Sequence, residues 1–236
     1  MHRLRPQSLI EANTLWRAVN DVILSIFQAD MLLETKCLQR WCRYRTRNQD
    51  QRSDMKLSFP DNPAQRYTLK ELIRYHYDPI HNLRPGYCCP QCNTTHDPPV
   101  RMKMEAAPDV LVIILARFSY TIEGGENKVN SRVSFEKTLD LSRYLIINPG
   151  FHAKPEKGTL QYELVASLQH SGTLHGGHYF TAAKDPAGTW HEVEDEARPK
   201  QVTWDAVRRG RSGFLPYMLF YRRIVHRVAA PGREND

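Results

Sequence analysis

The sequence predicts an α+β protein, with helices first and then mostly antiparallel strands. Three observations carry that prediction. Apolar residues near the N-terminus recur at three-to-four spacing, whereas from residue 110 they alternate or run on as strands do. Helical and strand-like stretches are segregated along the chain instead of alternating as βαβ units would. No internal repeat or low-complexity tract interrupts them.

The stretch "NTLWRAVNDVILSIF", residues 13–27, sets Leu15, Trp16, Val19, Val22, Ile23, Ile26 and Phe27 on one helical face, with Asn13 placed as N-cap. "MKLSFP", residues 55–60, alternates and stops at a proline, as a strand does. "YTLKELIRYHY", residues 67–77, reads as a short helix that Pro79 ends. "VLVIILARF", residues 110–118, is rich in Val and Ile and predicts a strand buried on both faces. "YELVASLQH", residues 162–170, puts Tyr162, Leu164, Ala166 and Leu168 on one face in step with His170. "FLPYMLFYRR", residues 214–223, is a last strand, bent or placed at an edge by Pro216.

With 236 residues, the chain has room for one large domain or two small ones, and its 41% hydrophobic and 25% charged content is that of a globular protein. Its longest apolar run, "VLVIILA", is too short to cross a bilayer, and "MHRLRPQSLI" lacks a signal-peptide core. A cytoplasmic or nuclear location is expected. The net charge of +7 is concentrated in "RWCRYRTRNQDQR", residues 40–52, and in the tail from Arg208. No nucleic-acid motif accompanies these clusters, so they read as a solvated face and a frayed tail. All five cysteines fall between positions 37 and 92, a clustering that suggests metal ligation or free thiols over disulfides.

The stretch "HSGTLHGGHYFTAAKDPAGTWHEVED", residues 170–195, gathers histidines, glycines and acids into one predicted hairpin. "DPAG" fits a type I turn, with Asp185 first, Pro186 second and Gly188 fourth. With the turn centred between Pro186 and Ala187, Ala183 faces Trp190 and His178 faces Asp195. If Gly188 is left-handed instead, a bulged three-residue loop slides the pairing by one and sets His178 against Glu196. The turn alone leaves both registers open. The residue types suit proton transfer, because an imidazole acting as a base needs its other nitrogen held. Gly176 and Gly177 remove side chains beside it and admit a substrate backbone. The competing reading is a polar surface hairpin with no joint chemistry.

In order along the chain, "YELVASLQHSG", "GGHYFTAA", the tryptophan and aspartate of "WHEVED", and "PYMLFYRR" resemble the C-terminal motifs of the ubiquitin-specific proteases, the papain-like cysteine deubiquitinases. "PDVLVIILARFSY" resembles that family's stretch before the catalytic half-barrel, "VSFEKTLDLSRYL" the strand after it, and "YCCPQC" its second metal-binding knuckle. The likeness spans about residues 20–223. It implies a partial domain over 1–223, with a fingers-like region over about 28–100 and a palm of antiparallel sheet over 101–223. Residues 224–236 are left as a basic disordered tail. The resemblance also implies His178 as general base and Asp195 as the residue that orients it, which favours the first register. Gly176, Gly177, Tyr179 and His170 would contact substrate, His170 and Gly172 shaping the loop. The implied reaction is hydrolysis of the isopeptide bond after the ubiquitin C-terminus, with ubiquitin or a ubiquitinated protein as partner. Glu192, Glu194 and Glu196 would meet ubiquitin's basic tail or form a solvated strand edge.

One family feature is missing from the sequence. The attacking thiol belongs in a Gly-Asn-Thr-Cys context at a helix N-terminus, where the dipole favours the thiolate. Met1 falls where the family's domain is already under way, so the thumb is expected to be largely absent. None of the five cysteines is followed by an amphipathic helix. The expectation is a chain inert on its own. It is then either the rear part of an enzyme shortened by truncation or a misplaced gene start, or a non-catalytic ubiquitin-binding scaffold.

Cys89 and Cys92 have the two-residue spacing that suits tetrahedral zinc. "KCLQRWC" offers Cys37 and Cys42 four residues apart, with Arg40 where a second sulfur belongs. The four sulfurs converge on a structural zinc if the strands between them form a ribbon. Otherwise they are unligated, half-buried thiols. Cys88 points to the opposite face of its strand. A zinc-ribbon nucleic-acid binder is the weaker alternative.

Overall fold

The Val/Ile-rich stretch around residue 112 lies deep in the largest sheet of this computed structural model, which describes residues 19–60, 63–77, 83–120, 126–147 and 155–225. A first helix, α1, occupies residues 19–27. The predicted apolar spacing is there, yet Val19, Val22 and Ile23 are 44%, 59% and 49% exposed. Asn13, Leu15 and Trp16 lie outside the described residues. Next come β1 (Ala29–Lys36), β2 (Arg45–Arg52), β3 (Met55–Leu57), β4 (Arg66–Thr68), α2 (Leu69–Tyr77), β5 (Tyr87–Cys88), β6 (Thr95–His96) and β7 (Val100–Ala106). β2, β1 and β7 form an antiparallel ribbon in that order. The basic stretch 40–52 is therefore largely its edge strand. Charges along such an edge discourage pairing with other chains, and Arg45 and Arg47 reach the buried Glu34 at 3.3 and 3.1 Å.

The remaining strands are β8 (Val110–Leu115), β9 (Phe118–Tyr120), β10 (Glu126–Lys128), β11 (Arg132–Ser134), β12 (Thr138–Asp140), β13 (Gln161–Gly172), β14 (Gly177–Lys184), β15 (Trp190–Val193), β16 (Lys200–Val202) and β17 (Leu215–Arg223). A six-residue helix, α3 (Trp204–Arg209), precedes β17. The main sheet runs β16-β15-β14-β13-β17-β8-β3, with β12 paired to β13. Pairing is mostly antiparallel as expected, but β3–β8 and β4–β11 are parallel. The α+β expectation holds.

Pro216 does not mark an edge, since β17 lies between β13 and β8. A shift in register between Leu168 and Gln169 accommodates the ring where the ladder has no proline N–H to use. Arg117 secures the same bend. Fully buried, it donates Nε to Pro216 O at 2.7 Å and Nη1 to Val129 O and Ser131 O at 2.9 and 2.8 Å. One face of the sheet is covered by Leu69, Leu72, Ile73 and Tyr77 of α2 and by Phe135, Leu139, Leu141 and Tyr144. Ala29, Met31, Met102 and Met104 extend this core into the ribbon.

Candidate active site and candidate metal centre

β14 and β15 pair in the bulged register, with Lys184 opposite Trp190 and Thr181 opposite Val193. Gly188 has φ 91°, the left-handed conformation that a three-residue loop requires. Asp185 N donates to Thr189 O at 2.9 Å, closing the loop. The direct opposition of His178 and Asp195 expected from the other register does not form. The ladder stops at Val193, and a turn closed by Ala197 N to Glu194 O (2.9 Å) holds Asp195 at φ 43°. Asp195 Oδ2 comes to 3.8 Å from His178 Nδ1, beyond hydrogen-bond length, and its side chain is 77% exposed. Glu196 makes no hydrogen bond or ion pair with any described residue.

The acid on the imidazole is Glu194, whose Oε1 meets His178 Nε2. Sequence reasoning missed it, although the signal was there. In the bulged register Glu192 and Glu194 have the same parity as His178, Phe180 and Ala182 and so lie on the same face. Glu194 is the diagonal neighbour two positions from Glu196, a distance its long side chain spans. Its other oxygen accepts Arg211 Nη1 at 2.5 Å, and Arg211 Nη2 binds Glu192 Oε2 at 2.9 Å. The guanidinium also lies 4.3 Å from the Phe180 ring centroid. Arg211, and then His178, hold Glu194 below the usual carboxylate range. Glu192 and Glu194 are thus engaged within the chain. An ionised Glu194 only accepts, so Nε2 carries the hydrogen of this contact. Nδ1 is the ring nitrogen left for proton exchange.

His170 and Tyr179 occupy the opposite face from His178. His170 is 2% exposed and packs against Tyr179 and Phe118 at centroid distances of 4.5 and 5.4 Å. Burial, helped by Lys128 and Arg117, lowers its pKa and keeps it neutral. Tyr179 is 45% exposed and neighbours Tyr217 at 6.2 Å. The loop glycines differ in what they do. A Cβ on Gly177 would strike His170 Nε2 and Ser171 O, and one on Gly172 (φ 109°) would lie 2.5 Å from Gly176 O. Gly176 faces open space.

All five cysteines lie between β1 and β6. Cys37 follows β1 and donates its backbone N–H to Tyr44 O at 3.0 Å, and a turn with Cys42 N on Gln39 O (3.0 Å) returns the chain. Arg40 sits exposed on that turn, and Cys42 supplies the second sulfur. On the other knuckle, Asn93 N donates to Cys89 O at 2.8 Å, with Asn93 at φ 53°. Sγ of Cys37 and Cys92 are 3.7 Å apart, those of Cys42 and Cys89 3.8 Å, and all four ligand atoms lie within 4.8 Å of one another. A tetrahedron with Zn–S of about 2.3 Å has sulfur–sulfur edges of about 3.8 Å. The donor set and spacing therefore fit a metal ion. Burial raises the Cys37 thiol to about 12, whereas hydrogen bonding from Thr94 lowers Cys92 to about 6. Cys88 is exposed, as expected. His178 contacts Glu194, Asp195 and Phe214, and no cysteine.

A strand-rich sheet carrying a carboxylate-held histidine, with four thiols gathered on a ribbon of the same chain at a spacing that fits a metal ion, defines the class of domain. The sequence profile of the Ubiquitin carboxyl-terminal hydrolase family matches residues 13–221, and the chain belongs to that family as a ubiquitin-specific-protease domain. Among curated relatives, mouse Ubiquitin carboxyl-terminal hydrolase 17-like protein B is 36% identical over 111 residues, which are 47% of this chain and 22% of that protein. Ubiquitin carboxyl-terminal hydrolase 8 of Saccharomyces cerevisiae is 28% identical over 138 residues, or 58% of this chain and 28% of the relative. The fold resembles the SAGA Ubp8/Sgf11/Sus1/Sgf73 DUB module bound to ubiquitin aldehyde, with TM-score 0.70 and 20% identity, covering 91% of this chain and 49% of that one. It also resembles a second structure of the SAGA Ubp8/Sgf11/Sus1/Sgf73 DUB module, at TM-score 0.63 and 21% identity, covering 89% of this chain and 42% of that one. Among the described residues no helix is long and apolar enough to cross a membrane.

Proposed function

We propose that this chain supplies the ubiquitin-binding body and the general base of a cysteine-type deubiquitinase. His178 takes the proton from a thiol at Nδ1 and later returns it to the leaving amine, while Glu194 orients the ring through Nε2 and stabilises the imidazolium. Asp195, expected from the resemblance to be the orienter, stands on the Nδ1 side at 3.8 Å, where it adds negative charge beside the reacting nitrogen. The single observation that carries this reading is Glu194, pinned by Arg211, on His178 Nε2. The open side of Gly176 offers the adjoining surface to an extended substrate backbone, whereas Tyr179 lies on the other face with His170. A zinc ion held by Cys37, Cys42, Cys89 and Cys92 fastens the ribbon that cradles ubiquitin.

The thiolate itself is supplied by none of the five cysteines, because four face one another in the ribbon and Cys88 is exposed on β5. This favours binding without turnover for the chain as given. Calorimetric titration with ubiquitin tests the reading, and micromolar, saturable binding is expected, worth about 8 kcal/mol. Ubiquitin bearing a C-terminal electrophile should label no cysteine. Failure to saturate at about 1 mM, a binding energy of only about 4 kcal/mol, defeats the proposal.

A further inference from the structure

Beside the Arg211–Glu194 pair, β4, β11, α3 and the start of β17 enclose a cleft of about 420 Å³. Its lining includes Arg66, Arg132, Arg208, Arg209 and Arg211, and no aspartate or glutamate. Arg211 is committed to Glu192 and Glu194, and Arg208 lies 3.4 Å from Asp205. Arg66, Arg132 and Arg209 make no ion pair with any described residue. Two of these three are direct neighbours, since Arg66 and Arg132 are register partners across the parallel β4–β11 ladder. Like charges opposed on a ladder destabilise it. Two guanidiniums side by side with no carboxylate of the described residues on them, and a third from α3 across the same concavity, are arranged to be completed by an anion.

The walls narrow the choice of anion. Tyr67, Phe214 and Leu215 are half-buried between the arginines, so the cleft offers apolar surface as well as charge. Its volume falls in the range of ligand pockets and is much larger than one phosphate group fills. Guanidinium forks match carboxylates in bidentate geometry. We propose that this cleft docks an acidic peptide segment of a partner protein. Its carboxylates bridge Arg66, Arg132 and Arg209, and an apolar side chain lies against Tyr67 and Phe214. The cleft adjoins the proposed active site, sharing Arg211 and Phe214 with it, but its three uncommitted arginines take no part in that chemistry, and peptide binding is tested separately from ubiquitin binding.

Fluorescence polarisation of a labelled peptide of alternating Glu and Leu, titrated with the whole chain at physiological salt, tests the proposal. Saturable binding is expected, and Arg66→Gln/Arg132→Gln should weaken it by about tenfold or more, equivalent to about 1.4 kcal/mol. The control Lys56→Gln/Arg101→Gln removes the same charge from exposed positions on β3 and β7 and should leave affinity within about twofold, the change expected of non-specific attraction alone. Because the double arginine variant relieves repulsion, its melting temperature should match or exceed that of the parent, which separates lost binding from lost folding. Equal loss in both variants, no saturable binding, displacement by equimolar inorganic phosphate, or tighter binding of a single-stranded oligonucleotide would each overturn the assignment.

Discussion

Replacing Cys89 by serine should release the metal from the ribbon while leaving the palm folded. Cys89 is fully buried, 3.8 Å from Cys42 Sγ, and this distance and the 3.7 Å between Cys37 and Cys92 match the tetrahedral edge, with all four sulfurs within 4.8 Å of one another. Structural zinc sites in finger peptides bind with roughly 10–16 kcal/mol, about 2.5–4 kcal/mol for each of four ligands. Losing one ligand should then weaken zinc by about a hundredfold to a thousandfold. Cys88→Ser is the internal control, one residue away but exposed, with an effect expected within about 0.5 kcal/mol. Elemental analysis of the purified chain gives stoichiometry, and competition with a chromophoric chelator gives affinity. One zinc per chain is expected for the parent and for Cys88→Ser. A parent that takes up no zinc, or a Cys88→Ser variant as impaired as Cys89→Ser, refutes the reasoning.

Three further outcomes follow from the same geometry. Arg117→Met leaves the carbonyls of Pro216, Val129 and Ser131 without their donor and should cost about 3–5 kcal/mol in urea denaturation, as breaking a buried charged network does. Gly177→Ala drives a methyl into His170 and Ser171 and should cost about 1–3 kcal/mol, whereas Gly176→Ala should change stability by less than about 0.5 kcal/mol. Glu163, through Lys184, and Glu194, through Arg211, have folded pKa values below their unfolded ones. Their stabilisation is complete above the ordinary Glu value of about 4.3 and is lost as pH falls through the lower folded values. The denaturation midpoint should therefore drop below about pH 4.3, and Arg211→Met should flatten that drop.

β8 and β13 were legible in the sequence because Val110–Leu115 and Gln161–Gly172 carry their burial in their own pattern, whereas the three-residue strands β9, β10, β11 and β16 are too short to show one. The cysteine pairs were legible from their spacing and the family resemblance, but their convergence was not, since Arg40 stands where a second upstream sulfur belongs and only the fold brings Cys42 to Cys89. β2 was not, since "RTRNQDQR" has no apolar face; it is a strand because β1 pairs with it, while Glu34 of β1 takes its arginines. Pro216 in an inner strand was also hidden, because the bulge opposite it and the Arg117 bond depend on residues about 50 to 100 positions away. The hairpin was half legible. "DPAG" allowed both registers, and the left-handed Gly188 selected the bulged one. Following only directly opposed residues led to Asp195 and Glu196 and passed over Glu194, which reaches His178 diagonally. The arginine cleft has no linear signal, since β4, β11 and α3 bring it together from distant segments.

The proton-transfer chemistry proposed for His178 depends above all on which acid holds its ring. Nitrogen-15 NMR of the imidazole at neutral pH reads this directly, because it distinguishes a proton on Nε2 from one on Nδ1. The expected result is an Nε2–H tautomer with a low-field proton that Glu194→Ala abolishes and Asp195→Ala preserves. An Nδ1–H tautomer, or a signal that depends on Asp195 and ignores Glu194, would contradict it.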